Sequence, residues 1–187
     1  MIPPRARMVL LLLGLIPWIS ACAEDLGREW EALDEESSAI VFPAPGLQGR
    51  NARFLRSYNE RQSLLVENAM WIGPEARHAK AMVHYYRTSP GYHFPTSADP
   101  RDLVKRYAAL KDKTVSFGAL KSEVNGLGRV SYRSFGFDGV NCVVFRQLWG
   151  ASEGAGDRQI VGYYCADPGQ PLGEDSIKRV VRSIDVR

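Results

Sequence analysis

Apolar and polar residues alternate from His78 to Thr88. Ala79, Ala81, Val83 and Tyr85 share one side; His78, Lys80, Met82, His84 and Tyr86 share the other. A period of two predicts a strand. Gln62 to Ile72 reads as its partner, joined through Gly73-Pro74. Pro90-Gly91 and Pro95 mark a loop. Asp99-Pro100 then opens a helix: Asp99 suits the cap, Pro100 the first helical position, and Asp102 adds negative charge to the first turn. Leu103, Tyr107 and Leu110, with Val104 and Ala108 beside them, make its buried stripe. Residues 114–125 fit a strand or a helix. Gly126 and Gly128 flank a turn before a strand over Arg129 to Phe135, and a second turn at Gly136 to Gly139 leads into Val140 to Trp149. A small-residue loop over 150–157 precedes a strand from Arg158 to Ala166. A last helix runs from Glu174 to Ile184, with Ile177, Val180, Val181 and Ile184 at helical spacing and Glu174 and Asp175 in its first turn.

Consecutive strands joined by short turns predict an antiparallel sheet. The expected fold is therefore α+β, a sheet of about five to six strands with two main helices packed on it. The central hairpin is apolar on both faces. Cys142, Val144, Leu148, Val161 and Tyr163 lie on one, and Val143, Phe145, Trp149, Ile160 and Tyr164 on the other. Such a hairpin needs cover on both sides. The two helices supply it, or one face is a groove for a ligand or partner.

Upstream the texture changes. Ala23 to Ser38 carries seven acids against Arg28 alone, with Leu26, Trp30 and Leu33 at the spacing of a short helix. Phe42-Pro43-Ala44-Pro45-Gly46 breaks regular structure. Arg50, Arg53, Arg56 and Arg61 follow, interleaved with Phe54, Leu55 and Tyr58. The expected division is a leader over 1–21, a tether over 22–60 and one α+β domain over 61–187.

The leader rests on residue order. Arg5 and Arg7 precede the apolar run Met8 to Ile19, which is too short for a ~20-residue span, and small Ser20 and Ala21 follow. Ile19-Ser20-Ala21-Cys22 resembles the lipobox of bacterial lipoproteins, usually Leu-Ala/Ser-Gly/Ala-Cys, with Ile19 in place of leucine. The resemblance covers residues 1–22. It implies cleavage before Cys22, a diacylglycerol on the Cys22 thiol, and attachment to an envelope membrane through that lipid. In proteobacterial sorting an aspartate after the cysteine retains the protein at the inner membrane. Ala23 stands there, which implies the outer membrane, facing the periplasm, in a Gram-negative source.

The 187-residue chain carries a net charge of +3; without the two leader arginines this becomes +1, so nothing argues for nucleic acid. With Cys22 lipidated, Cys142 and Cys165 remain. A hairpin centred on 150–157 sets Trp149 opposite Arg158 and Phe145 opposite Gly162, and it carries Cys142 to face Cys165. An exported protein with this even remainder predicts a disulfide. Reduced buried thiols or a redox pair are the alternatives, the latter without the usual Cys-x-x-Cys spacing.

No catalytic constellation emerges. His78 and His84 share a strand face ~20 Å apart, too far to bind one metal. No Gly-x-Ser-x-Gly elbow and no glycine-rich phosphate loop occur. No cofactor, metal or catalytic residue is expected. The reading is a non-catalytic cell-envelope lipoprotein that binds a protein partner or helps assemble or maintain the envelope. Arg50, Arg53 and Arg56 would form the contact region with Tyr85, Tyr86, Tyr92 and Phe94, because arginine and aromatic residues dominate binding hot spots. The alternative is a small-molecule or glycan-binding module using an aromatic sheet face.

Overall fold

A computed structural model describes residues 29–73, 79–95, 98–150 and 156–187. In chain order the elements are β1 (Glu31–Leu33), β2 (Ile40–Val41), β3 (Ala52–Asn59), β4 (Leu64–Ile72), β5 (Ala79–Thr88), α1 (Arg101–Val104), β6 (Ser116–Phe117), β7 (Lys121–Asn125), β8 (Gly128–Phe137), β9 (Val140–Trp149), β10 (Arg158–Cys165), α2 (Glu174–Arg182) and β11 (Asp185–Val186). A nine-stranded antiparallel sheet has the order β1-β3-β4-β5-β10-β9-β8, with β6 and β7 both on the outer side of β8; β2 and β11 form a separate small pair.

This corrects the expected fold class. The protein is mostly β, with nine strands in the main sheet in place of five or six. The two main helices reduce to one nine-residue helix, α2, and a single turn, α1. After Val104 most amides bond three residues back, Arg106 to Leu103, Tyr107 to Val104, Leu110 to Tyr107 and Lys113 to Leu110, while Lys111 reaches four back, to Tyr107. Val104, Tyr107 and Leu110 recur every three residues, so tight turns keep all three on the sheet while an α-helix would rotate them away.

Extra strands come from two places. From Glu29 on, the stretch expected as a tether carries β1, β2 and β3 and buries Ile40, Phe42, Ala44, Leu47 and Phe54. The ambiguous 114–125 stretch is strand, β6 and β7. The part of the acidic segment before Glu29 lies outside the described residues.

The sheet is two meanders, β3-β4-β5 and β8-β9-β10, joined where β5 pairs with β10. Different segments cover its two faces. On the first face, Ile177, Val180, Val181 and Ile184 pack with Val83, Tyr85, Val143, Phe145, Ile160 and Tyr164, and residues 40–47 join them. On the second, Leu103, Val104, Tyr107 and Leu110 of the connection after β5 cover Cys142, Val144, Val161 and Tyr163. The expected division of the hairpin between two faces is therefore the observed one.

The β9–β10 register places Cys142 opposite Cys165, and the two are disulfide-bonded with Cα atoms 4.0 Å apart. The β8–β9 turn has Asp138 and Gly139 at positive φ, the geometry a two-residue hairpin turn requires. Gly162 is forced by packing: a Cβ there would sit 2.7 Å from the Phe145 ring and 2.6 Å from the Met82 carbonyl.

Two polar ties hold the first face closed. Glu67, 1% exposed, accepts from the Ala39 amide at 2.7 Å, the Ser38 hydroxyl at 3.1 Å and Arg56 Nε at 2.9 Å, fastening 38–39 onto β4. Asn125 and Gln147 exchange two side-chain hydrogen bonds, and Asn125 Nδ2 also reaches the carbonyls of Val181 and Ile184 at 3.2 Å. That ties the end of α2 to β7 and β9.

Candidate functional site

The second face is incompletely filled. Between the sheet and residues 94–95 and 98–107 lies a cavity of about 390 Å³. The sheet side comes from strand alternation. His84 and Tyr86, two residues apart on β5, point the same way, and the register aligns Asn68, His84, Val161 and Arg146 in one row across β4, β5, β10 and β9. Gln159 pairs with Tyr86 one step along. The roof is Phe94, Pro95 and Ala98, then Asp102, Leu103, Arg106 and Tyr107.

The roof is anchored by charge. Asp99 takes a bidentate grip from Arg133 of β8, with Nε to Oδ1 at 2.8 Å and Nη2 to Oδ2 at 2.7 Å. The Asp99 carboxylate also accepts the Arg101 amide at 2.9 Å, the local role expected for a helix-start residue. Arg133 holds the Asp99 carboxyl below its ordinary range. Beyond this point Leu103, Val104, Tyr107 and Leu110 are buried, and the Tyr107 ring meets Tyr163 edge-on at 4.8 Å.

Four rings shape the interior. His84 stacks with Tyr107 at 5.5 Å and lies 6.2 Å from Tyr86, which meets Phe94 edge-on at 6.2 Å. Burial pushes the His84 imidazole down to about 4, so it is neutral at physiological pH. Its Nδ1 bonds Asn68 Oδ1; an amide oxygen only accepts, so Nδ1 carries the proton. Burial raises the Tyr107 phenol well above its ordinary value, and among the described residues its hydroxyl has no hydrogen-bond partner. Arg146 is 6% exposed in the middle of the most apolar strand. Its guanidinium donates to the carbonyls of Ala98 and Pro95 and to Gln159 Oε1. Burial first, then the nearby charge of Arg106, lowers its pKa.

The residues expected to meet a partner are divided by the sheet. Tyr86 and Phe94 are in the cavity wall. Tyr85 is buried on the opposite face, stacked 6.0 Å from Trp149. Tyr92 is 58% exposed. Arg53 is exposed on β3. Arg56 is committed to Glu67 and to the Ser37 carbonyl, and Arg50 to the Gly46 carbonyl and Asp167. Cys22 and His78 lie outside the described residues, and His93 is exposed. Sequence reasoning passed over Arg106, Tyr107, Arg146 and Gln159. The available signal was Arg146 itself, a charge inside the run Val140 to Trp149, on the face shared by Val144 and Val161.

Among the described residues no group of three or more His, Cys, Asp or Glu side chains is placed to hold a metal ion, and no helix is long and apolar enough to cross a membrane. No protein family, curated protein or solved structure matches the chain.

Proposed function

We propose that this chain is a lipid-anchored cell-envelope protein whose domain binds a small molecule, without catalysis, in the cavity between the sheet and residues 94–95 and 98–107. One observation carries the reading: His84, Tyr86, Phe94 and Tyr107 line a 390 Å³ concavity together with a few polar residues, among them Arg146 and Gln159, a combination of apolar wall and few polar groups suited to small ligands. The anchor is supported by the lipobox resemblance at Cys22. The partner-binding reading has less support, because it needs Arg56 and Tyr85 at the surface. Arg56 is bonded to a buried carboxylate, and Tyr85 is core.

The test is native mass spectrometry of the full chain, purified from envelopes in mild detergent. A small molecule should be released on unfolding. It should be lost from Leu64→Trp, which fills the cavity from its β4 wall. An unoccupied wild type that no envelope extract stabilises overturns the reading, as does a bound molecule that Leu64→Trp retains unchanged.

A further inference from the structure

We propose that one end of the sheet lies on the membrane that carries the anchor. Arg87 and Arg158 meet anionic phospholipid headgroups there, and Tyr58, Leu65 and Trp149 enter the interface beside them. This rests on the lipid anchor of the proposed function and is independent of the cavity.

The surface is a row set by register. Tyr58 of β3 pairs with Leu65 of β4, Leu65 with Arg87 of β5, Arg87 with Arg158 of β10, and Arg158 with Trp149 of β9. Directly opposed residues share one side of a sheet. Arg87 and Arg158 both act electrostatically on the Tyr85 phenol, so the row belongs to the first face. Tyr58, Arg87 and Arg158 are exposed, and Leu65 and Trp149 are half-buried. With strands ~4.8 Å apart, five of them make the row ~19 Å wide. Tyr92, 58% exposed, stands at the same end, its carbonyl accepting the Thr88 hydroxyl at 2.7 Å. Like charges directly opposite on neighbouring strands are unfavourable. Arg87 and Arg158 are such a pair, and among the described residues neither side chain has a hydrogen bond or ion pair. The exposed acids nearest the Tyr58 end, Glu29 and Glu60, pair with neither. A phosphate between the two arginines offsets their repulsion and suits the guanidinium fork. Tyrosine and tryptophan, apolar in body and polar at the tip, suit the bilayer interface.

The occupant follows from the chain. β1 runs antiparallel to β3 with Glu31 opposite Arg56, so Glu29, upstream of β1, is at the Tyr58 end of the row. Glu29 is seven residues after Cys22. Such a stretch spans at most ~25 Å even when fully extended. A diacylglycerol on Cys22 therefore keeps this end of the sheet close to the bilayer. β9 runs from the β8–β9 turn at Asp138 and Gly139 up to Trp149, so that turn is at the far end, ~30 Å away. A surface tethered this closely meets the bilayer at high effective concentration, and weak contacts suffice to orient it.

The experiment is nuclear magnetic resonance of the lipidated chain in nanodiscs of anionic phospholipid, with and without a paramagnetic label on the lipid headgroups. The label should broaden the amides of Tyr58, Leu65, Arg87 and Arg158 several-fold more than those of Asp138 and Gly139. Arg87→Gln together with Arg158→Gln should remove that difference while the chain stays in the nanodisc. Tm should hold or rise in this variant, because a repulsion is lost. Neutral lipid, or salt at about 1 M where charges are screened within ~3 Å, should weaken the difference in the parent. Equal broadening at both ends, the result for two merely solvated arginines, overturns the inference. So does stronger broadening at Asp138 and Gly139, or a pattern that the double variant leaves unchanged. A pattern that appears only when another envelope protein is added assigns the row to that partner and overturns it too. Each of these leaves the anchor standing. A chain that never enters the nanodisc removes the anchor, and this inference with it.

Discussion

His84 makes the protein sensitive to acid. In the unfolded chain its imidazole takes a proton near 6.5, but in the fold only near 4. Between these values the unfolded state binds the proton and the native state does not, so stability falls as pH drops through that window. The ring also borders the cavity, so the loss stays under the ~3 kcal/mol that the full shift would give. Urea midpoints between pH 7 and 4 should show this slope, and His84→Gln should flatten it; an unchanged slope would place the acid sensitivity elsewhere. Glu67 makes the opposite kind of demand, a carboxylate that must stay partnered. Arg56→Ala leaves it buried with two neutral donors and should lower stability by about 1–3 kcal/mol, less than for a wholly buried pair because Arg56 is 34% exposed. Chemical denaturation of Arg56→Ala beside Arg53→Ala checks this, since exposed Arg53 should be near neutral. The contrast shows what the chain alone reveals. Four arginines between 50 and 61 look alike as letters, and only the buried carboxylate across β4 distinguishes Arg56. Arg146 was missed for the same reason: its neighbours in sequence are β9 residues, while its partners include Pro95, Ala98 and Gln159.

Strands and α2 were legible where a local period repeats long enough. Val140–Trp149 and the stripe of α2 both sit where the spacing put them. The cysteine pairing was legible too, because hairpin register is arithmetic once the loop is placed. Short elements were not. β1, β2 and β6 are two or three residues long and exist through their neighbours, which no period can announce. α1 failed for another cause: its start signals were sound, but spacing by threes beyond Val104 favours tight turns. Two predictions belong to this scale. Val181, fully buried on the sheet-facing side of α2, should not tolerate a charge; Val181→Asp should abolish folding or lower Tm by well over 10 °C, against a few degrees for Val181→Ala, read by circular dichroism. Removing the disulfide with Cys142→Ala and Cys165→Ala together should cost about 2–4 kcal/mol for a 23-residue separation while leaving the sheet intact. A larger loss with collapse of the β9–β10 spectrum would mean the bond is needed to set the register.

The molecule as a whole is organised by a join that no local signal marks. β5 and β10 are neighbours although 69 or more residues separate their partners, as with the Thr88 hydroxyl on the Asp157 carbonyl. That join makes one broad sheet from two meanders, with α2 and residues 40–47 covering one face and the segment after β5 the other. The proposed lipid attachment is also tested at this scale. Cys22→Ser should move the protein from the membrane to the soluble fraction, and mass spectrometry of the parent should find a diacylglycerol on Cys22; an unmodified thiol would remove the anchor from the proposal. The small β2–β11 pair has a further consequence. Val41 pairs with Asp185, and Arg187 Nη1 donates to the carbonyls of Glu35, Glu36 and Ser38, the last 149 residues away. The ribosome makes Ser38 149 residues before its partner Arg187. Until Arg187 has emerged, the strip that covers Trp71 and Phe145 is held through Glu67 and lacks its β11 partner. This face is therefore completed only once β11 has been made, and a chain without Asp185 to Arg187 would leave its aromatic core more open to water and to chaperones.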